Sequence, residues 1–260
     1  MTRRIVSREN ALFKHLARLA SSSRARREHR AAILDGPHLV AAFRASGGTA
    51  EALVASESGY ARAEVRALVD AAPAQDRVLL PDRLFDSLAQ VATPTGILAV
   101  VATPAPTAPP DLAGTCLMLE GLQDPGNLGS ILRTALAAGV RQVLLATGCV
   151  FAWSPKVLRA GQGAHFGLAI HENAPLAALA PRFAGQVIAT DPHAAASVFE
   201  LDLAGPVAWV FGAEGGGVSP GLAAHATARA RIPMPGGAES LNVAAAAAVC
   251  LFEQVRQRTR

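Results

Sequence analysis

The hydrophobic pattern changes most clearly along residues 116–133, which read CLMLEGLQDPGNLGSILR. The first four residues form a continuous apolar run, which is typical of a strand buried on both faces. Asp124-Pro125-Gly126 has turn chemistry, Asn127 is a suitable helix cap, and helical spacing of apolar residues predicts a helix over 128–138. A strand, a turn and a helix in this order form the repeating unit of a parallel sheet.

The same alternation continues towards the C-terminus. Further apolar runs predict strands at residues 143–146, 167–170, 187–189, 207–211 and 230–232, with helices at 155–161, 175–183, 220–226 and 241–257. The expected fold class is therefore α/β, with a mostly parallel sheet covered by helices on both faces. Ligands bind such sheets at the carboxyl ends of the strands, which is where we look for a site.

Residues 103–110 hold four prolines and predict an extended linker, because proline blocks both helices and strand pairing. We place the linker at 104–111, between a domain at 1–103 and a domain at 112–260. The first domain is expected to be a smaller α/β unit. Its predicted strands are 31–34, 52–55, 78–80 and 97–101, and its predicted helices are 12–20, 37–45, 61–71 and 81–90.

Composition excludes several classes of protein. Of the 260 residues, 51% are hydrophobic and 17% are charged, which excludes disorder along the whole chain. No apolar run reaches the roughly 18 residues of a membrane span, and no apolar segment follows the basic N-terminus as in a secretory signal. Cys116, Cys149 and Cys250 lie far apart, so neither a disulfide framework nor a zinc site is expected. We expect a cytoplasmic protein without a metal.

Positive charge is concentrated at one end of the chain. Residues 1–30 carry nine Lys or Arg and two Glu, a balance of +7, whereas the other 230 residues sum to −3. Arginine offers a planar fork to phosphate oxygens, so Arg24, Arg26 and Arg27 are candidate contacts to a nucleic acid. A solvated helix face remains the alternative.

Three segments that follow predicted strands carry polar or glycine-rich chemistry. In the first, Arg133 falls in an apolar helix and is expected to be buried, where it would need an anion or a carboxylate. The second, 210–219, has three consecutive glycines around Glu214, but its spacing fits neither a Walker loop nor a dinucleotide fingerprint. The third, 232–243, contains Ser240 and Asn242 and enters an alanine-rich helix that Ser240 could cap. Together the three segments predict a pocket.

The three segments resemble the signature motifs of the SpoU (TrmH-like) RNA 2′-O-ribose methyltransferases of the SPOUT superfamily. The matching residues are Asn127-x-Gly129-x-x-x-Arg133, Phe211-Gly-Ala-Glu-Gly-x-Gly217, and Ile232-Pro-Met followed by Ser240-Leu-Asn-Val243. The resemblance covers residues 115–257. Residues 5–14 and 35–40 are similar, more loosely, to the family's small α/β RNA-binding domain, which is related to certain ribosomal proteins. Two features depart from the family pattern. The sequence after Asn242 is Ala-rich, where the family often has a further Ser, and Asp35 stands where a Glu is common.

The resemblance implies a trefoil knot in the second domain, S-adenosylmethionine as cofactor, and a homodimer. It implies that Arg133 activates the ribose 2′-hydroxyl. The other residues matched to the catalytic site are Asn127, Glu214, Ser240 and Asn242. The residues matched to cofactor contacts are Thr190, Gly212, Gly217, Ile232, Met234 and Leu241. A ribose hydroxyl ionises far above pH 7, so a positive charge beside its oxygen would favour attack on a methyl group, and no metal is required.

The expected function is methylation of a ribose 2′-hydroxyl in structured RNA. Ribosomal RNA is favoured over tRNA, because the first domain is similar to that of family members that act on rRNA. A non-catalytic RNA-binding or ribosome-assembly factor of the same fold is the alternative from another class. A nicotinamide-dependent oxidoreductase is excluded by the missing dinucleotide fingerprint.

Overall fold

A computed structural model describes residues 2–89, 91, 93–104 and 106–259. In chain order, the strands are β1 (Arg3–Arg4), β2 (Ala31–Asp35), β3 (Ala52–Ser56), β4 (Arg77–Leu80), β5 (Ile97–Ala102), β6 (Cys116–Leu119), β7 (Gln142–Leu145), β8 (Ala169–His171), β9 (Gln186–Thr190), β10 (Val207–Phe211) and β11 (Ala228–Ala230). The helices are α1 (Ala11–Ser21), α2 (Ser23–Glu28), α3 (Pro37–Ala45), α4 (Glu57–Ala61), α5 (Ala63–Asp70), α6 (Asp82–Asp86), α7 (Pro125–Ala137), α8 (Pro155–Gly161), α9 (Leu176–Leu179), α10 (Pro220–Ala223) and α11 (Val243–Arg258). None of these helices has both the length and the apolar character needed to cross a membrane.

The chain divides into two compact units. The first contains residues 1–104 and 153–166, and the second contains residues 105–152 and 167–260. The segment 153–166, placed in the second domain by the sequence prediction, therefore belongs to the first unit. There α8 packs against β2, and the ring of Phe166 contacts that of Phe43 with 5.2 Å between centroids. The predicted linker includes residue 105, and the predicted helix 81–90 ends at residue 90; both positions lie outside the described residues.

The first unit is built on a mixed sheet in the order β1-β4-β3-β5-β2. The pairs β1–β4 and β3–β4 are parallel, whereas β5 pairs antiparallel with both β2 and β3. Helix α1 buries Phe13, Leu16 and Leu19 against this sheet, which explains its helical spacing of apolar residues. The sequence pattern missed β1, because two exposed arginines at the edge of a sheet carry no hydrophobic signal.

The second unit is built on a sheet whose described strands all pair in parallel, in the order β11-β9-β10-β6-β7-β8. This confirms the predicted α/β fold with a mostly parallel sheet. Every residue of β6, β7 and β10 is buried, which explains why these strands appear in the sequence as continuous apolar runs. From β6 the chain proceeds outward through β7 to β8, and β10 lies on the other side of β6. The segments that follow β6 and β10 therefore leave neighbouring strands at the carboxyl edge, a typical position for a ligand crevice.

Several predicted boundaries in the second unit are wrong by a few residues. Strand β8 begins at Ala169 because a 3-10 turn occupies Ala164–Gly167, and β11 ends at Ala230 rather than at 232. The predicted helix 175–183 is the single turn α9 followed by a 3-10 turn that contains Pro181.

Helix α11 is attached to the rest of the second unit by buried polar contacts. The Gln254 side chain is 2% exposed, and its Oε1 accepts a hydrogen bond of 2.9 Å from Trp209 Nε1 in β10. Its Nε2 donates to the carbonyl oxygens of Leu203 and Gly205 at 3.3 and 3.2 Å. These bonds fix the helix that carries Asn242 at its start.

Candidate active site

The beginning of α7 differs from the sequence prediction. Asp124, rather than Asn127, is the N-cap: its Oδ1 accepts a hydrogen bond of 2.8 Å from the Asn127 backbone N–H. Pro125 occupies the first helical position, where its missing N–H is not needed. The Asn127 side chain is thereby free of a capping role and lies half-buried in the first turn of the helix.

Asn242 caps α11, a role that the sequence had offered to Ser240. Asn242 Oδ1 accepts hydrogen bonds from the backbone N–H groups of Ala244 and Ala245 at 2.9 and 3.3 Å. Because a backbone N–H can only donate, the oxygen of this amide must face the helix and its Nδ2 must face away. Ser240 lies exposed in the preceding loop.

The three motifs meet through a chain of hydrogen bonds between their side chains. Asn242 Nδ2 donates to Asn127 Oδ1 at 2.8 Å, and Asn127 Nδ2 donates to Glu214 Oε1 at 2.6 Å. The cap orientation of Asn242 thus fixes the amide of Asn127, which in turn presents a donor to Glu214. This polarity suits an ionised Glu214 carboxylate, which accepts hydrogen bonds and donates none.

The loop that carries Glu214 can form only with glycine at particular positions. Ala213 and Gly217 exchange backbone hydrogen bonds of 3.0 and 2.9 Å, which closes a tight loop. A Cβ on Gly212 would lie 1.9 Å from the Gly217 carbonyl oxygen, and Gly215 and Gly217 have φ of +86° and +63°. Any L-residue would be excluded or strained at these three positions.

A cleft of about 270 Å³ lies beside this loop, at the carboxyl ends of β9 and β10. Its lining residues include Thr190, Asp191, His193, Gly215, Gly216, Gly217, Val218 and Arg229. Thr190 Oγ1 donates to the Val210 carbonyl oxygen at 3.1 Å, and Asp191 Oδ2 lies 3.7 Å from Arg229 Nη1. The glycine wall lets a ligand approach the backbone closely, because no side chain stands in its way.

The sequence and the fold resemble known RNA methyltransferases along most of the chain. Residues 114–252 match the SpoU rRNA Methylase family. An uncharacterized tRNA/rRNA methyltransferase of Synechocystis is 34% identical over 98% of this chain and 94% of the relative. The chain belongs to the SpoU family.

Two further members of the family are informative about substrate and cofactor. The 23S rRNA (guanosine(2553)-2′-O)-methyltransferase of Bacillus subtilis is 32% identical over 85% of this chain and 86% of its own length. The structure of an AdoMet-bound rRNA methyltransferase from Sinorhizobium meliloti superposes with a TM-score of 0.84 at 27% identity, covering 98% of both chains. Both are similar to this chain in its first unit as well as in its second.

Some of the expected SpoU site residues line the cleft. Thr190 and Gly217 line the cleft, with Gly212 buried beneath the loop. Ile232, Met234 and Leu241 are not among its lining residues; they lie along the segment after β11, and Leu241 is 41% exposed.

Arg133 is not buried as the sequence predicted. Its neighbours Ile131 and Leu132 pack into the core, whereas Arg133 is exposed on the outer side of α7. Within the part of the chain that the structure describes, its guanidinium makes no hydrogen bond or ion pair. Successive residues of a helix are about 100° apart around its axis. When Ile131 and Leu132 face the core, the next position, Arg133, therefore faces solvent.

Arg26 is also placed differently from the expectation. It is 7% exposed, and its Nη1 donates to the carbonyl oxygens of Leu19 and Ala20 at 2.6 and 3.2 Å, near the end of α1. Burial lowers the pKa of this guanidinium from its ordinary value. Arg26 therefore supports the α1–α2 corner instead of facing an RNA, whereas Arg24 and Arg27 are exposed.

Sequence reasoning missed two polar residues beside the site, Glu120 and Ser219. Glu120 directly follows β6, and Ser219 caps α10. The sequence does contain a pattern that predicts the role of Ser219, because Ser followed by Pro commonly forms the N-cap and the first residue of a helix. No signal marked Glu120, whose partner lies 99 residues further along the chain.

Proposed function

We propose that this chain transfers the methyl group of S-adenosylmethionine to a ribose 2′-hydroxyl of ribosomal RNA. RNA 2′-O-ribose methylation is the reaction of the SpoU family, to which the chain belongs. The observation that carries the proposal is the hydrogen-bonded chain Asn242–Asn127–Glu214, which joins the three family motifs near a glycine-lined cleft.

S-adenosylmethionine is the cofactor of the family and supplies an electrophilic methyl group when it is bound. The second unit fits such a cofactor, because backbone of Gly215–Gly217 forms one wall of the cleft without side chains. Thr190 and Asp191, which also line the cleft, offer oxygen atoms. These residues would hold and orient the cofactor, and the reaction requires no metal-ligand cluster.

Asn127 and Asn242 position Glu214. Both polar groups of the Asn127 side chain are engaged, so this amide holds the Glu214 carboxylate by one oxygen, Oε1. The other carboxylate oxygen of Glu214, Oε2, is available to accept a hydrogen bond from a hydroxyl or an ammonium group. Glu214 is exposed and can therefore meet a substrate.

We assign Arg133 the role of stabilising negative charge on the ribose oxygen. Its guanidinium faces solvent in the free protein, where water screens its charge. An RNA phosphate lying over α7 would remove that water and bind the guanidinium as an anion partner. The positive charge beside the 2′-oxygen would then favour transfer of its proton to water or to the phosphate while the oxygen attacks the methyl carbon. The S–CH3 bond of the cofactor would break in this step, and S-adenosylhomocysteine would leave.

Ribosomal RNA is proposed as the substrate on the basis of two similarities that extend into the first unit. The Bacillus subtilis relative acts on 23S rRNA, and the Sinorhizobium meliloti structure is of an rRNA methyltransferase. The first unit of this chain also carries exposed arginines in its N-terminal 30 residues, which suits binding to a phosphate backbone.

The test is transfer of labelled methyl from S-adenosylmethionine to total RNA from cells that lack this gene. The RNA is separated into 23S, 16S and tRNA fractions and digested to nucleosides. A labelled 2′-O-methyl nucleoside in an rRNA fraction is the expected result. Label in the tRNA fraction would overturn the rRNA assignment. Cofactor binding without transfer would mean that the RNA offered is a wrong or immature substrate, whereas neither transfer nor cofactor binding would favour the non-catalytic RNA-binding alternative.

We further propose that the enzyme works as a homodimer. Phe252 on α11 is 49% exposed and Leu241, just before that helix, is 41% exposed, so two large apolar side chains face solvent in the segment 241–252. Sedimentation equilibrium should give twice the 26.7 kDa of one chain. Replacing Phe252 with Lys should shift the mass towards the monomer, whereas a monomeric wild-type protein would contradict the proposal.

A further inference from the structure

The carboxylate of Glu120 binds the end of the glycine loop in two places. Its Oε2 accepts a hydrogen bond of 2.8 Å from the Ser219 backbone N–H, and its Oε1 accepts one of 2.8 Å from Ser219 Oγ. The Glu120 backbone N–H also donates to the Phe211 carbonyl oxygen at 2.9 Å, at the end of β10. Glu120 is therefore bonded both to the strand that precedes the loop 213–219 and to Ser219, the last residue of that loop.

The next residue, Gly121, packs against the beginning of the same loop. Gly121 has φ of +68°, and a Cβ on it would lie 3.0 Å from the Ala213 Cβ. Two consecutive residues after β6 thus contact both ends of the loop 213–219.

Ser219 links this contact to α10. Its Oγ accepts a hydrogen bond of 3.3 Å from the Leu222 backbone N–H while it donates to Glu120, so the hydroxyl proton has a defined direction. Bonds to an ionised carboxylate are stronger than those between neutral groups, which makes Glu120 a strong anchor of the loop.

We propose that Glu120 is a positioning residue of this methyltransferase: it holds the glycine loop in the conformation in which Glu214 meets Asn127 and Gly215–Gly217 line the cleft. Glu120 acts through Ser219 and contacts neither substrate nor cofactor. The segment 120–127 therefore links the first motif to the second. It anchors the glycine loop at Ser219 and Ala213, and it continues to Asn127, whose side chain donates to Glu214. This proposal rests on the proposed function in one respect only, which is that the ligand of the cleft is S-adenosylmethionine.

The first test compares Glu120→Gln with Glu200→Gln. Glu200 is a matched control, because its Oε2 also accepts a serine backbone N–H at 2.8 Å, from Ser197 in a capping box of the same unit. Calorimetry should show S-adenosylmethionine binding weakened by about tenfold or more in Glu120→Gln, the effect expected on losing a charge-assisted bond. Binding by Glu200→Gln should change by less than about twofold.

A double-mutant cycle separates positioning from general destabilisation. Ser219→Ala removes the hydroxyl partner of the same carboxylate, so combining it with Glu120→Gln should weaken cofactor binding little beyond Glu120→Gln alone. Thermal midpoints are recorded for each variant. Fully additive losses, an equal loss in Glu200→Gln, or unchanged binding in a folded Glu120→Gln would each overturn the proposal. If Glu120→Gln does not fold, the milder Ser219→Ala must still weaken binding.

Gly121→Ala tests the other end of the loop. The added methyl would press on Ala213, and the positive φ would be strained. Gly139→Ala is the control, because Gly139 has φ of +80° but a Cβ added there would meet nothing within 4 Å, so it reports the strain alone. Gly121→Ala should weaken cofactor binding more than Gly139→Ala, and equal effects would contradict the contact with Ala213. If the wild-type protein binds no S-adenosylmethionine, the proposed function fails instead of the positioning role.

Discussion

Asn242 performs two tasks with the two ends of one amide. Its oxygen caps α11 and its nitrogen donates to Asn127, so the helix cap and the polar chain of the site depend on the same side chain. A sequence that reads Ser-Leu-Asn before an alanine-rich helix offers two possible caps. The structure selects Asn242, because its nitrogen can then reach Asn127 on α7.

Asn242→Asp separates these two tasks. Aspartate keeps the oxygen that accepts from Ala244 and Ala245, and a negative charge is favourable at a helix N-terminus. It loses the donor to Asn127 and places a second carboxylate near Glu214. We expect a thermal midpoint equal to or above that of the wild type, with kcat reduced by about 10- to 100-fold. Asn242→Ala, the control, should lower the thermal midpoint as well, and normal activity in Asn242→Asp would contradict the role of the polar chain.

Arg133→Ala tests the charge on the outer side of α7. Because Arg133 is exposed and lies outside the residues that line the cleft, cofactor affinity should stay within about twofold while methyl transfer falls by about a hundredfold or more. Arg141→Ala is a matched control, since Arg141 is also exposed but precedes β7 at the opposite edge of the sheet. Calorimetry and initial rates of transfer measure the two effects. A loss of cofactor affinity in Arg133→Ala would instead make it a cofactor contact.

At the scale of elements, the basic N-terminal segment is divided between two roles. Helices α1 and α2 meet at a corner where Arg26 is buried and bonded to backbone carbonyls. Arg24 points outward, with 88% of its side chain exposed, and pairs with Glu28, which also pairs with Arg18. The composition of residues 1–30 predicts a basic surface, but it cannot distinguish the arginine that supports the corner from those that face solvent.

We expect Arg24→Glu and Arg26→Glu to have different effects. Arg24→Glu should weaken RNA binding and reduce the slope of log affinity against log salt by about one to two, as expected for lost phosphate contacts. Arg26→Glu should instead lower the free energy of unfolding by about 3 kcal/mol, because it buries a carboxylate against the carbonyl oxygens of Leu19 and Ala20. Filter binding at several salt concentrations and urea denaturation measure these effects. An unchanged salt slope in Arg24→Glu would return that residue to the solvated helix face.

At the scale of the whole molecule, each unit has its own sheet, and the hydrophobic core of the second unit contains Cys116. Burial raises the pKa of Cys116 and of Cys250 to about 12. The thiolate is the reactive form, so both groups should be unreactive while this unit is folded.

Thiol labelling therefore reports the unfolding of the second unit. At pH 8, Cys116 and Cys250 should react only as urea unfolds the unit, whereas half-buried Cys149 should react earlier. Since the folded pKa values exceed the unfolded value of about 9, the unfolded chain loses these protons first as the pH rises. The free energy of unfolding should accordingly fall between pH 9 and about 12. Peptide mass spectrometry after timed labelling gives the measurement, and rapid modification of Cys116 without urea would contradict the prediction.

The sequence by itself determined the α/β class, the positions of β6 and β10, and the residues of the three motifs. Strands buried on both faces must be apolar throughout, so these two strands stand out at their observed bounds. Local chemistry also identified Asn127, Glu214 and Asn242, because polar and glycine-rich residues after buried strands mark a crevice.

Only the tertiary structure decided how those residues act on each other. The donor and acceptor ends of Asn127 are fixed by Asn242, 115 residues away, and the loop that carries Glu214 is held by Glu120 from the neighbouring strand. The burial of Arg26 and the exposure of Arg133 were likewise decided by packing. Sequence periodicity records which face of an element is apolar, but a hydrogen bond between distant segments depends on strand order, and strand order leaves no local pattern in the chain.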